Sequence, residues 1–478
     1  MEGAVSGAED GSGAKDGSVD GFLDGSVDGR LGGSVDGSGN GHAGGRADRA
    51  ASRDRAVSRF VDVLVVGAGP AGLASAARLA AAGAGRYRIE VLEREQEAGG
   101  VPRHCAHGGF GLADFGRPLD GPGYARRLAR AAAGAAGSGA TVRTGVSVTG
   151  WAGPLTLEVT APTGLERITA RAVVLATGAR ERTRSARLVP GTRPAGVLTT
   201  GELQQSVHLY GVRRERLGRR AVVIGAEPVA HHAVRALRRA QVDVVAMITE
   251  QPGVPRRFGA LPPPPLLTAT TVAELLGRGR LAGVRVRHID GREGVIGCDT
   301  AVFTGDWMPE HELARSGGVP LDGGTRGPSV DGAHRTATAG VFAAGNVLRG
   351  VEAAGAAAAE GRAAADAVLR YLAGEPWPVA AVPVRAEGPV RWVAPNRITY
   401  GTGVRPVLLP EGAGVRPFLL RVREPLARPV VEVRQGARIL HRGRLLGTAW
   451  PHRSVRVPDG WSREVDPAGG PVTVRVGV

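Results

Sequence analysis

The chain has 478 residues, which at roughly 150 residues per domain suggests about three domains, and its 42% hydrophobic content supplies ordinary cores. Two cysteines, Cys105 and Cys298, exclude a disulfide framework, a cysteine-ligated iron–sulfur cluster and a zinc site built wholly from cysteines. A single lysine, Lys15, stands against 60 arginines, which removes a Walker A loop and a Schiff-base lysine for pyridoxal phosphate; the net charge of +16 is scattered arginine with only 4% aromatics, a compositional bias and not a nucleic-acid surface.

Residues 1–40 carry eight acids and two bases, with Gly-Ser-Val-Asp-Gly repeated from Gly17, Gly25 and Gly33. Too few large apolar groups are present to offset the entropy of ordering, so a disordered N-terminal tail is expected. Residues 41–59 add five arginines, a basic linker. No apolar core of a signal peptide lies in the first 30 residues, and no run reaches the ~18 residues of a membrane helix. The expected setting is cytoplasmic, without membrane insertion.

Folding signals begin at Phe60. Val61–Val66 is an apolar, β-branched run and predicts a buried strand. Gly67-Ala68-Gly69-Pro70-Ala71-Gly72 follows at once, then an alanine- and leucine-rich helix to about Ala82, then a strand at Ile89–Glu93. That is a βαβ unit. Gly67 permits the tight turn, Gly69 lets backbone approach a pyrophosphate, and Gly72 lets helix and strand pack closely. Glu93, 26 residues after Gly67, can accept from ribose hydroxyls.

A glycine- and proline-rich loop spans 94–123, a helix is expected over 124–136, and strands near 141–149, 155–160 and 171–176. A second βαβ start follows 158 residues after the first: a strand at 221–224, a turn at Gly225, a helix over 229–240 and a strand over 242–248. Short strands fill 265–304, a strand-and-turn covers Val341–Asn346, and an alanine-rich helix covers 353–373. From 381 onward, short alternating valine runs predict a small β domain. The expected fold class is α/β: two Rossmann-like dinucleotide-binding domains, a C-terminal β domain and the disordered tail. The expected boundaries are 1–59 tail and linker, 60–200 and 305–378 first dinucleotide domain in two segments, 201–304 inserted domain, and 379–478 β domain.

Three motifs in order, Gly67–Gly72 with Glu93, Ala176-Thr177-Gly178, and Thr338–Asn346, resemble the pyridine nucleotide–disulfide oxidoreductase superfamily over about residues 60–375. The resemblance implies FAD in the first domain and a nicotinamide domain inserted before its last segment. It also implies that Pro70, Ala71, Arg94, Gly99, Gly100, Gly345 and Asn346 border the flavin nucleotide. Asn346 stands where the family has aspartate. The helix beginning near Ala353 is expected to aim its positive end at the flavin. Gly99–Gly111 and Arg193–Thr200 resemble, more narrowly, flavoprotein subunits of opine, sarcosine and glycerol-phosphate dehydrogenases. An FAD-dependent oxidoreductase acting on a small molecule is implied. Its alternative is an electron-relay subunit, partnered by another subunit or by a second copy of the chain.

Cys105 lacks the second cysteine of a disulfide reductase; it is either a reactive thiol or a packed wall residue. His104 and His107 flank it and are candidate proton carriers. No metal centre is expected, since this His-Cys-His spacing fits no zinc pattern. In the second motif, Gly225, Ala230 and Glu250 keep the turn, packing and ribose positions. Glu227, however, puts bulk and negative charge where a pyrophosphate should sit. NADH is then the better-suited nicotinamide and NADPH the poorer, because Glu250 also disfavours a 2′-phosphate.

Overall fold

The computed structural model describes residues 56–134, 139–253, 264–400 and 417–477. The expected disorder of the N-terminal tail lies outside the described residues. The first strand, β1 (Val57–Val66), begins at Val57, ahead of Phe60, because Val57–Phe60 pair with Glu166–Thr169. It is followed by α1 (Pro70–Gly83) and β2 (Ile89–Leu92). Then come α2 (Gly121–Ala133), β3 (Thr141–Arg143), β4 (Ser147–Gly153), β5 (Thr156–Ala161) and β6 (Gly164–Leu175).

These strands form one sheet in the order β3-β2-β1-β6-β5-β4. Alternation along β1 sorts its two faces. Val63 and Val65 pack with Leu73 and Leu79 of α1 and Tyr124 and Leu128 of α2. Leu64 and Val66 face Leu157, Ile168 and Val173 on the other side.

A second sheet has parallel strands. After β7 (Ala179–Glu181) come β8 (Val197–Thr199), α3 (Thr200–His208), β9 (Arg220–Ile224), α4 (Pro228–Arg239), β10 (Asp243–Ile248) and β11 (Leu266–Leu267). The antiparallel β12 (Thr270–Leu276), β13 (Gly283–His288) and β14 (Glu293–Gly297) make a separate three-stranded sheet, and β15 (Thr300–Phe303) returns to the second sheet. The second sheet runs β11-β10-β9-β15-β8. Thr199 and Glu202 form a reciprocal capping box that starts α3.

The chain then rejoins the first sheet. β16 (Trp307–Pro309) pairs with β7, β17 (Val341–Ala343) pairs with β6, and α5 (Ala354–Leu372) packs on α1. The remaining strands form a five-stranded sheet containing Ala380–Ala386, Val430–Gln435 and Val472–Gly477, and a three-stranded sheet of Val390–Ala394, Phe418–Val422 and Val455–Val457. They share a core of Val384, Tyr400, Leu420, Val433, Trp461 and Val474. No helix among the described residues is long and apolar enough to cross a membrane.

One end of the first sheet is tied by four buried or part-buried charges. Arg143 reaches Glu166 at 2.6 Å and Glu90 at 2.8 Å, and Arg59 reaches Glu90 at 2.8 Å and Glu166 at 3.1 Å. The Arg143 hydrogen bond holds the Glu166 carboxyl below its ordinary value. A lowered carboxylate pKa stabilises the fold above the unfolded value, and that contribution is lost as pH falls through the folded one. Glu166→Gln leaves Arg143 short of a counter-charge and should cost about 3 kcal/mol in denaturant unfolding at pH 7. The difference from wild type should shrink as the medium is acidified below the ordinary glutamate value of 4.5.

Candidate functional site

The C-terminal ends of β1, β2 and β6 open onto a cavity of about 2340 Å³, well above the ~300–1,000 Å³ of an ordinary small-ligand pocket. Two helix N-termini face it. α1 has no side-chain cap, so the N–H groups of its first turn are left for a ligand. α5 starts after Ala353, also uncapped, and lines the cavity with Ala353, Ala354, Gly355 and Ala356.

The glycines divide into two kinds. A Cβ on Gly72 would lie 1.9 Å from the Gly67 carbonyl oxygen, and one on Gly67 would lie 2.4 Å from that of Ala176. These positions close the turn onto β6. A Cβ on Gly100 would meet the Gly69 Cα at 2.8 Å, and one on Gly345 would meet the Ala71 Cβ at 2.6 Å. Gly99, at φ 131°, sits under Ala125 and donates its N–H to Ala68 O. Gly69 is different. It lines the cavity, has φ −78°, and its missing Cβ would meet nothing within 4 Å. That open space on an anion-attracting helix terminus fits a close-approaching pyrophosphate.

Glu93 is buried at the end of β2, accepting from Ala68 N at 2.9 Å and Glu95 N at 3.0 Å. Its carboxylate is thereby fixed beside the glycine turn. Arg94 is exposed and pairs with Glu310 at 3.7 Å. Thr177 donates to Glu310 O, and Gly178 takes φ 82° at the cavity wall. Asn346 spends its amide on the backbone of Glu352, accepting its N–H at 2.9 Å and donating to its carbonyl. It holds the loop before α5 and lines the cavity.

Pro102 to Phe110 form the wall opposite. Cys105 is buried, its thiol donating toward Val101 O at 3.4 Å and Gln204 Oε1 at 3.6 Å. Burial pushes that thiol up to about 12, so it stays protonated and is a poor nucleophile. His104 is buried with Nδ1 unpartnered, and burial lowers it to about 4. His107 also lines the cavity, half-buried and stacked on His232 with ring centres 3.6 Å apart. Among the described residues, no group of three or more His, Cys, Asp or Glu side chains is placed to hold a metal ion.

Glu181, which sequence reasoning passed over, lines the same cavity at the end of β7. It is 7% exposed, accepts from Gly201 N at 2.8 Å through Oε2, and leaves Oε1 without a partner. Burial raises its carboxyl to about 7, the range suited to moving protons at neutral pH. Only its flank of the Ala176–Gly178 motif hinted at it.

In the second sheet, Glu227 turns inward. Its Oε2 accepts from Ala226 N at 3.0 Å. A Cβ on Gly225 or Gly305 would lie 2.8 or 2.9 Å from its carboxylate oxygens. The carboxylate thus covers the crevice beyond β9 and β15, the place where such folds seat a dinucleotide. Ala230 is fully buried in the first turn of α4, and Glu250 is exposed past the end of β10.

The β domain also reaches the cavity. Arg421, buried, donates to Gly350 O, Val351 O, Glu352 and Ser454 at 3.0 Å each and lies 5.0 Å over the Trp392 ring. This clamps the loop before α5. Trp450, Pro451 and His452 line the cavity beside it. No sequence pattern marked these residues.

The pyridine nucleotide-disulphide oxidoreductase model matches residues 61–260. Sarcosine oxidase subunit alpha of Rhizobium meliloti (strain 1021) is 30% identical over 356 residues, 70% of this chain and 33% of that protein; the chain spans about a third of that relative's length. Thioredoxin reductase of T. acidophilum superposes with a TM-score of 0.53 at 23% identity, covering 66% of this chain and all of the reductase. Thioredoxin reductase of Lactococcus lactis gives 0.53 at 18% identity with the same coverage. At these identities the two structures establish the fold, with its two dinucleotide-binding units.

Two substitutions separate the roles of the glycines. Gly69→Val should fold with a melting temperature close to wild type yet purify without flavin, since only ligand space is filled. Gly72→Ala should lower the melting temperature by several degrees, because its methyl meets backbone. Equal flavin content in Gly69→Val and wild type, read from visible absorbance, would remove Gly69 from the cradle.

Proposed function

The chain belongs to the pyridine nucleotide–disulphide oxidoreductase superfamily, and we propose that it is an FAD-dependent oxidoreductase oxidising a small organic molecule. The observation that carries this reading is the convergence of two uncapped helix N-termini on one glycine-lined cavity beside Glu93. Gly67, Gly69 and Ala71 would hold the pyrophosphate, Glu93 the adenosine ribose, and the α5 N-terminus the flavin ring. Bound FAD would supply the two-electron acceptor that no side chain can provide.

The chain's own residues supply proton handling and exclusion of water. Glu181 is the proton acceptor, poised by burial to be ionised near neutrality. Gly201 N fixes Oε2 at the start of α3, which holds the carboxyl in the cavity wall. Trp450 and His452 close the substrate side. Cys105 is a wall residue; Cys105→Ser should retain most activity. Glu181→Gln should keep its flavin, lose about 10²–10⁴-fold in turnover, and lose the rise in rate through pH ~7. Anaerobic bleaching of the flavin by a panel of amines, amino acids and hydroxy acids identifies the substrate class. A preparation that remains colourless after FAD addition would end this reading.

The second dinucleotide fold is a weak nicotinamide site. The Glu227 carboxylate takes the Ala226 N–H that a phosphate would need, and two like charges about 4 Å apart repel by ~1–4 kcal/mol between water and a partly buried cleft. NADH should reduce the flavin slowly and NADPH more slowly still. Glu227→Gly should tighten NADH binding about tenfold or more, measured by nicotinamide fluorescence. Fast reduction of wild type by micromolar NADPH would restore an ordinary reductase.

A second reading, an electron-relay subunit, draws on the relative's being named a subunit. Co-purification of a companion chain with the native protein would favour it.

A further inference from the structure

Behind the wall that carries Cys105 lies a smaller cavity of about 470 Å³, between α3, α4 and the segment Ala106–Gly108. Six of its lining side chains are basic: His107, His208, His232, Arg235, Arg238 and Arg239. The rest are alanine, glycine and Gln204, with no carboxylate. Arg235 and Arg239 bring positive charge to this concavity and the histidine rings bring N–H donors, a field that favours an anion. We propose that this cavity is a binding site for a small oxyanion, a phosphate monoester or a carboxylate.

The geometry supports a site assembled for a ligand. His107 and His232 lie face to face, ring centres 3.6 Å apart and 7° from parallel, an arrangement that two imidazolium ions would oppose. Arg239 is anchored by its Nη1 to the Ala106 carbonyl at 2.6 Å, which ties α4 to the flavin-side segment. Arg235 and Arg239 stand exposed on one side of α4, four residues apart and so on one helical stripe. They form the open edge of the cavity, where two guanidinium forks can grip one oxyanion.

Without an anion the histidines stay neutral. Burial, then the neighbouring basic groups, lower His107, His208 and His232, the last to about 4. The charged groups facing them are Arg235 and Arg239 from α4, with His231 behind His232. An anion among them offsets both causes and draws protons onto the rings. Because His107, Gly108, Gln204 and His232 also line the large cavity, occupancy braces the wall against which Cys105 packs.

The test uses the full chain at constant ionic strength, titrated with inorganic phosphate or with succinate, sodium chloride being the balance. Binding is read by calorimetry and by the ring resonances of His107 and His232, assigned from His107→Gln and His232→Gln. We expect saturable binding with a Kd of about 1 mM or tighter and an upward pKa shift of at least one of the two rings. Phosphate binding alone identifies a phosphate ligand; equal competition by succinate identifies a carboxylate. In Arg235→Gln/Arg239→Gln, which also removes the Arg239–Ala106 hydrogen bond and should lower the melting temperature by no more than a few degrees, affinity should drop at least tenfold. The proposal is overturned by no saturable binding of either anion, or by undiminished affinity in the double variant. Neither result depends on flavin binding or turnover, so failure here is distinct from failure of the oxidoreductase reading.

Discussion

The structure depends on how closely two helices and a turn can approach without side chains between them. A Cβ on Gly361 of α5 would lie 2.0 Å from the Ala71 carbonyl oxygen of α1. Gly72 meets the Gly67 carbonyl as closely, and Gly67 rests on Ala176. Backbone therefore packs on backbone from β6 through the turn and α1 to α5. That stack fixes where both helix N-termini point, and hence the polarity of the cavity. An added methyl at any link would move a helix relative to the sheet. Glu360, the residue before Gly361, uses the same proximity to accept the Gly345 N–H at 3.0 Å and to pair with buried Arg349.

The β domain is joined to this arrangement through polar contacts of a different kind. Arg421 satisfies two carbonyls, a carboxylate and a hydroxyl while stacking over Trp392. Arg349, which precedes α5, lies 5.7 Å from the same ring. A planar, delocalised cation with five donors suits this junction, and an ammonium could not replace it. The arginine-biased composition thus has a structural use at the cavity rim, apart from any surface charge.

Local rules made much of the fold legible. The βαβ unit at Val57–Leu92 follows from strand composition, glycine spacing and alanine-rich helix periodicity, each readable within 40 residues. The strand extends four residues upstream of Val61, where alternation was too weak against the arginine-rich linker to be seen. Side-chain direction was not legible. Glu227 could turn inward or outward on the same helix start, and only Gly225, Thr304 and Gly305 around it decide that it covers the crevice. Glu181 carries no motif of its own; its raised pKa comes from burial against the start of α3, which only the folded chain brings beside it. His107 and His232 are 125 residues apart and stack only once α4 folds against the 104–108 segment. Asn346 lines the cavity and also holds the Glu352 backbone, a contact that no motif announced.

The pairing of α1 with α5 sets a schedule for making the protein. About 270 residues of chain separate Gly83 from Ala354. While a ribosome is still extending the chain, α1 has its strand neighbours but lacks the helix that covers Ala71, Ala74 and Leu79. Long-range closure of this kind is slow and leaves apolar surface uncovered in the meantime. A nascent chain halted before Leu372 would carry the glycine turn and yet hold no complete cradle. The cavity is therefore completed only once α5 has been made, and a truncated product would leave the apolar face of α1 uncovered.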